Sequence, residues 1–458
     1  MITAKLLWTE YPYDAGFCIT DDTDTATLEQ TKAVYDFLLD RNFVTTKTVW
    51  PFKPSEPCGI PATPESTLRG ITLQNPEYFT YCKMLSNKGF EICLHSASAG
   101  NNKRESMIKA FDILKEHFGS SDTFICHAKN AENIYWENKV TRLFPFNFLI
   151  KYQSKHKCFG EMENSEYFWG DICKEKVNWI RLFRTRDTNT LKRNPSMPYH
   201  DNQKPFVNYW FSATKRRIFD CATSQALDRL KGENGLTVLY QYLHRYADPT
   251  SFKLNSGFVQ AVENLSSDPK IHVSTVSKHM HRLIKIRGIV VLYRDTDYWI
   301  LNTNTCNIYN LQCHLSTSTD LHIVGNSINQ KGSYLVIPEI EGKSCIHFQC
   351  DKMMSFKKCK TKKVGRSNSI TIKTNTGEIK ISVEKLLRNT KSILKFDIER
   401  KDGHCKHTAS LPILEEYRLL TNQMLIIVRE ILFKGRSINS NKYLDTSKPI
   451  LLENHNNW

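Results

Sequence analysis

The chain has 458 residues, 40% hydrophobic and 24% charged, an ordinary globular balance with enough material for two or three packed domains. No uncharged apolar run approaches the roughly 20 residues of a membrane span, and fourteen cysteines without regular spacing fit reduced thiols better than a disulfide framework. A net charge of +16 favours phosphate-bearing partners, whether nucleic acid, anionic lipid headgroups or phosphate-linked sugars, without choosing among them. Met1–Glu10 has neither a long apolar core nor a small-residue cleavage site, so the expected address is the cytoplasm, including a membrane surface facing it.

Ala15, Phe17 and Ile19 alternate with smaller residues, as at the end of a buried strand, Gly16–Thr20. Asp21, Asp22 and Asp24 follow within four positions. Thr27, with Gln30 three residues on, reads as a capping box opening a helix through Leu28, Val34, Tyr35, Leu38 and Leu39. The carboxylates therefore stand at a strand's C-terminal end just before a helix, where barrel and open α/β folds keep their chemistry. Like charges this close need a cation, a proton or solvent to compensate them.

Further strands are expected at Val44–Trp50, Phe90–Leu94, Thr123–Cys126, Phe146–Ile150, Val177–Arg184, Phe206–Phe211, Leu236–Tyr240 and Ile271–Thr275. The clearest helix runs from Lys103 to His117, with Met107, Ile108, Phe111, Leu114 and Phe118 as its stripe, Asn101 or Asn102 as cap and Gly119 as stop. Alternating strands and helices argue for a parallel β/α layout, and eight or so strands before Arg287 favour a barrel. The proline-rich Pro51–Ile71 reads as a long loop over its mouth, either a lid or a surface excursion.

From Gly288 the texture changes. Gly288–Leu301 reads as a hairpin, and further strands are expected at Asn307–Gln312, Leu321–Val324, Tyr334–Ile337, Ser344–Gln349, Ser369–Thr374, Glu378–Val383 and Ile393–Ile398. This is an all-β, sandwich-like module. Lys352–Arg366 holds seven basic residues and no acid, as a solvated loop or a phosphate or anionic-lipid contact would. Cys345, Cys350, Cys359, Cys405 and His407 match no compact zinc spacing. A last helix from Leu411 to Lys434 is too short in its apolar stretch to span a bilayer, and is expected to pack on the β module or dock on a membrane surface. The division expected is 1–287 barrel, 288–400 β-rich, and 401–458 helix and polar tail.

Phe90–Leu94 ends at His95, and Thr123–Cys126 ends at His127, followed by Asn130 and Asn133. Three successive units thus place Asp21/Asp22, His95 and His127 at equivalent strand ends. An aspartate with two imidazoles is a three-ligand set for Zn²⁺ or a similar ion. Asn194–Asp201 adds Tyr199, His200 and Asp201 near a rigid turn, either a structural proline loop or a segment for substrate binding, a fourth metal-proximal group or help to a general acid. Tyr240, Tyr242 and His244 follow the strand at Leu236, and aromatic faces there suit sugars.

Phe17–Asp24 resembles the first motif of the polysaccharide deacetylase (NodB-homology) family, in which an aspartate pair follows the first strand, and Glu91–Ser96 resembles the second. The resemblance spans about Leu7 to Arg287 and points to divergent members of surface-polysaccharide biosynthesis. It implies a distorted (β/α)₇ barrel, a divalent metal and hydrolysis of a sugar's N-acetyl group. By position it makes Asp21 the catalytic base, and Asp22 and His95 metal ligands. The family's second-motif histidine falls on Ala99, and His127 is the replacement. His200 or His244 would protonate the leaving amine; Asp24, Asn130, Tyr199 and Tyr242 would bind the carbohydrate, phosphate-linked sugars included. Peripheral membrane contact would use 352–366 or the helix 411–434. Two other readings compete: a barrel that binds glycans without hydrolysis, and a winged-helix DNA-binding regulator over 273–301, with Gly288–Leu301 as wing.

Overall fold

A computed structural model describes residues 1–62, 70–136, 139–153, 156–318, 320–325, 327–365, 369–374, 377–388, 393–396, 399–400 and 409–433. The chain divides into two compact units, Met1–Ala15 with Met280–Thr408, and Gly16–His279 with Ala409–Trp458. Strand β1 (Ile2–Glu10) belongs to the first of these, and the barrel to the second.

The barrel strands are β2 (Ala15–Asp21), β3 (Thr46–Val49), β4 (Glu91–Leu94), β5 (Thr123–Phe124), β6 (Trp179–Thr185), β7 (Tyr209–Thr214) and β8 (Leu236–Gln241). Each runs parallel to the next, and β2 pairs with both β3 and β8, so the sheet closes on itself. Closure is uneven: β4 and β5 share one register pair, Leu94 with Phe124, and β6 carries a bulge between Arg181 and Arg184. The result is a distorted seven-stranded barrel. Every residue of β2 is buried, as expected of a parallel strand covered on both faces.

Helices α1 (Leu28–Leu39), α2 (Pro76–Asn87) and α3 (Arg104–Phe118) follow β2, β3 and β4. The Thr27 side chain caps α1 by accepting the Gln30 N–H, and Asn75 caps α2. Gly119 ends α3 at φ 77°. Its start differs from expectation: Lys103 holds the cap position without a side-chain bond. Asn101 instead accepts from the Gly59 and Ala131 N–H groups, and Asn102 reaches Ser98 and Glu132. Both asparagines serve loop closure, which outweighs the helix end here.

Phe146–Gln153 is a helix and not a strand. A five-residue apolar run has no decisive period, and here Phe148 and Leu149 stay exposed. Of Pro51–Ile71, residues 63–69 lie outside those described. The rest is tied to the β4–α3 loop through Phe52 N–H to Ala97 O and the Gly59–Asn101 pair. The helix Ile413–Phe433 groups with the barrel, through Gln423 on the Arg184 N–H, Glu415 on Ser196 and Glu416 on Thr141, and not with the β module as expected.

Among the described residues the β-rich unit has three sheets. In the five-stranded one, β1 lies between Ile308–Leu315 and Met354–Lys357, which moves the chain's first strand out of the 1–287 division expected. In the main sheet the hairpin Ile289–Arg294/Asp297–Asn302 is flanked by Lys360–Lys363 and Ser344–Cys350. Its alternate residues feed two cores. Ile289, Val291, Tyr298 and Ile300 meet the five-stranded sheet's residues, while Val290, Leu292, Trp299 and Leu301 meet Ile370, Ile372, Ile379 and Ile381 of the third sheet. A hairpin buried on both faces and paired on both edges cannot act as the exposed wing of a DNA-binding motif. The basic run forms two short strands, with Lys357, Lys358, Lys360, Lys362 and Lys363 exposed. Cys345 and Cys350 belong to different cores; Cys405 and His407 lie outside the described residues.

Candidate metal centre

The β2–α1 turn carries Asp22 to Asp24. The Asp22 N–H bonds Gln241 O of β8, and the Thr23 N–H bonds Thr48 Oγ1 of β3, so the turn is pinned to both neighbouring strands. From the next strand ends come His95 and His127. Asp24, His95 and His127 meet, with donor atoms within 4.8 Å of one another. Asp24 Oδ2 is 3.0 Å from His95 Nε2 and Oδ1 is 2.9 Å from His127 Nε2.

The other ring nitrogens decide what these contacts are. His95 Nδ1 faces the Ile125 carbonyl at 3.1 Å, which can only accept, so Nδ1 donates. His127 Nδ1 lies 2.9 Å from Asn130 Oδ1, whose amide nitrogen is committed to the carbonyls of Ser98 and Gly100 and to Glu132. Here too Nδ1 donates. With both protons held outward, two imidazole lone pairs and a carboxylate face one point, which a divalent cation or protons must compensate. The donor set fits a metal. Burial opposes charge on Asp24 and His127, yet their mutual attraction prevails: the carboxyl is held well below its usual range, the imidazole well above.

The other two aspartates each have a cation. Asp22 takes a bidentate grip from Arg181 of β6 at 2.8 and 3.0 Å, and its Oδ2 lies 3.7 Å from His95 Nε2. The Arg181 guanidinium stacks 3.8 Å over the Tyr240 ring and bonds Thr20 Oγ1. Asp21 is turned away. Its Oδ1 accepts the Leu243 N–H at 2.7 Å, and its Oδ2 accepts Tyr35 Oη–H at 2.7 Å and Lys47 Nζ at 3.3 Å. Burial raises the Asp21 carboxyl, with Lys47 pulling it back. The structure thus puts Asp24, and not Asp22, against both imidazoles.

Trp50 walls the site, stacked on His95 at 11° and edge-on to His127, with Nε1 donating to His95 O. Ala99 is buried, and the second imidazole of the cluster comes from His127. His244 Nε2 contacts Thr25 Oγ1 at 3.1 Å, and burial with Arg245 and Lys47 nearby pushes its pKa down to about 3. Tyr242 bonds Tyr240 through their hydroxyls at 2.8 Å, and burial and Asp24 raise its pKa. His200 and Tyr199 are engaged elsewhere: His200 Nδ1 donates to Asn208 O, its N–H bonds Ala409 O, and Tyr199 pairs with Trp210. Asn130 points at His127.

The chain has similar solved structures at 10–13% identity. Solved structures to which it is similar include a carbohydrate deacetylase, at 10% identity over 74% of this chain and 65% of that one, TM-score 0.40. They also include an allantoinase, at 10% identity over 59% and 91%, TM-score 0.34. A probable polysaccharide deacetylase from Pseudomonas aeruginosa matches at 10% identity over 59% and 91%, TM-score 0.33. No family model and no curated protein matches the chain.

Arg181, Lys47, Trp50 and Glu132 are absent from the sequence-based site. The signal for the first two was a charged residue at a buried strand position, Arg181 in Trp179–Thr185 and Lys47 in Thr46–Val49, the latter paired with Asp21.

Proposed function

We propose that the protein is a metal-dependent hydrolase that removes an N-acetyl group from a carbohydrate. One observation carries this: Asp24 and two imidazoles converge at strand ends with the Nδ1 protons already committed. Two nitrogens and one oxygen suit Zn²⁺ and leave room for a further ligand. A divalent cation held there would supply Lewis acidity toward the acetamide carbonyl and ease deprotonation of water near neutral pH. Asp22, fixed by Arg181 beside His95, takes the proton of the attacking water and returns it to the departing nitrogen. This assigns to Asp22 the role expected of Asp21, whose oxygens serve the barrel interior. His244, neutral at physiological pH, steadies the turn through Thr25 and is not the proton donor. The carbohydrate rests on the resemblance of Phe17–Asp24 and Glu91–Ser96 to the family motifs.

Purified protein should contain stoichiometric metal and release acetate from nucleotide-linked or lipid-linked N-acetyl sugars, and a chelator should stop the release. Protein that neither binds metal nor releases acetate would refute the assignment; metal without acetate release favours the non-hydrolytic glycan-binding barrel.

A phosphate-linked, membrane-associated substrate fits a second surface of the barrel unit. Ile413, Leu414, Tyr417 and Leu425 of the last helix are exposed, as are Phe144, Phe148 and Leu149, and Tyr417 Oη–H bonds Phe144 O. Arg142, Lys151 and Arg418 are exposed in the same segments. Aromatic and aliphatic side chains with cations around them suit an anionic bilayer surface, and we place the peripheral contact there, on a cytoplasmic leaflet. The exposed lysines of 357–363 stand on edge strands, where lysine blocks unwanted pairing. Co-sedimentation with phosphatidylserine vesicles should be lost in Phe148→Ser/Leu414→Ser; no sedimentation of the wild type would end this reading. Among the described residues no helix is long and apolar enough to cross a membrane.

A further inference from the structure

We propose that Glu132, acting through the Asn130 carboxamide, holds the proton of His127 on Nδ1 and so presents Nε2 to the cation. Both are positioning residues, and the inference rests on the metal-centre reading above.

Glu132 is fully buried, and the contacts it makes are with neutral donors. Its carboxylate accepts from the Ser96 hydroxyl, the Asn102 N–H at 3.0 Å, the Asn102 carboxamide at 2.7 Å and the Asn130 carboxamide at 2.8 Å. Burial drives its pKa up while these bonds pull it back. Four donors turned onto one buried carboxyl call for a use. The geometry supplies one. Three acceptors, Glu132 Oε1, Gly100 O and Ser98 O, surround Asn130 Nδ2 at 2.8, 2.7 and 3.3 Å. The amide therefore cannot flip, its oxygen faces His127 Nδ1, and the imidazole must donate there. Ser96, Asn102 and Asn130 come from the loops after β4 and β5, so one carboxylate ties together the two loops that carry both imidazoles. His95 needs no such relay, because the Ile125 carbonyl does the same work directly.

The test is zinc affinity by competition with a chromophoric chelator, with ¹⁵N-histidine spectra of the zinc-loaded protein. Asn130→Leu removes the acceptor, and Glu132→Gln sets an N–H against a donor; each should weaken zinc by roughly 10–100-fold. Glu132→Asp keeps two acceptor oxygens though it is one methylene shorter, and should bind zinc more tightly than the isosteric Glu132→Gln. Lost packing alone would give the opposite order. In the wild type the ¹⁵N spectrum should show His127 protonated at Nδ1. Wild-type zinc binding with Glu132→Gln and Asn130→Leu unchanged overturns this proposal alone, as does Glu132→Asp no better than Glu132→Gln, or His127 protonated at Nε2. Wild-type protein that takes up no zinc removes the centre and the relay together.

Discussion

Replacing Asp24 by Asn keeps the shape of the side chain and removes one negative charge from between two imidazoles. The carboxylate sits 3.0 and 2.9 Å from their Nε2 atoms, so its charge acts at short range. At an effective dielectric of about 20 and a separation of about 3 Å, a unit charge against a divalent ion is worth ~11 kcal/mol before solvation costs. Desolvation of both partners returns most of this, leaving about 3–4 kcal/mol, or roughly 10²–10³ in affinity. Asp22→Asn should behave differently. Arg181 already neutralises that carboxylate, and its nearer oxygen is 3.7 Å from His95, so metal affinity should fall less than about tenfold. Acetate release should nonetheless collapse in Asp22→Asn. Metal content by elemental analysis and affinity by chelator competition read the contrast. Equal loss of metal in the two variants, or greater loss in Asp22→Asn, would refute the assignment of the carboxylates.

Arg181→Met leaves the Asp22 carboxylate buried without its partner and should cost about 3–5 kcal/mol in urea unfolding, with most of it regained in Asp22→Leu/Arg181→Met. A single variant within about 1 kcal/mol of wild type would show the pair to be dispensable. The third prediction concerns pH. His279 is buried, with Nε2 3.3 Å from Phe17 O, and burial with His272 alongside pushes its pKa down to about 3. Its folded pKa lies below the unfolded value of about 6.5, so the stability is present above that value and is lost as pH falls toward 3. Between pH 8 and pH 5 the loss should be about 2 kcal/mol, and His279→Gln should flatten the unfolding profile by that amount. Identical slopes in variant and wild type would contradict a neutral buried imidazole.

Strand ends were legible in the sequence because local patterns mark them. Thr27 with Gln30 announced the start of α1, Gly119 the end of α3, and the apolar runs before Asp21, His95 and His127 placed all three on one rim. Which aspartate faces the imidazoles was not legible, since every residue of β2 is buried and a buried strand has no polar face to show direction. The answer lay in Lys47 and Arg181, cations on other strands that each claim one carboxylate and leave Asp24 over. Long-range pairing was the other gap. Phe146–Ile150 and the Ile413–Phe433 helix have faces whose partners the local sequence does not name.

Strand β1 pairs with Ile308–Leu315 and Met354–Lys357. During synthesis those neighbours emerge some 300 residues after it, and at about 5–20 residues per second the wait is roughly 15–70 s. Throughout that interval Leu6, Leu7 and Trp8, all buried in the finished protein, have no sheet to enter. The apolar side chains of β1 therefore stay unpaired while the barrel residues are made, a stretch open to aggregation until its partner strands arrive.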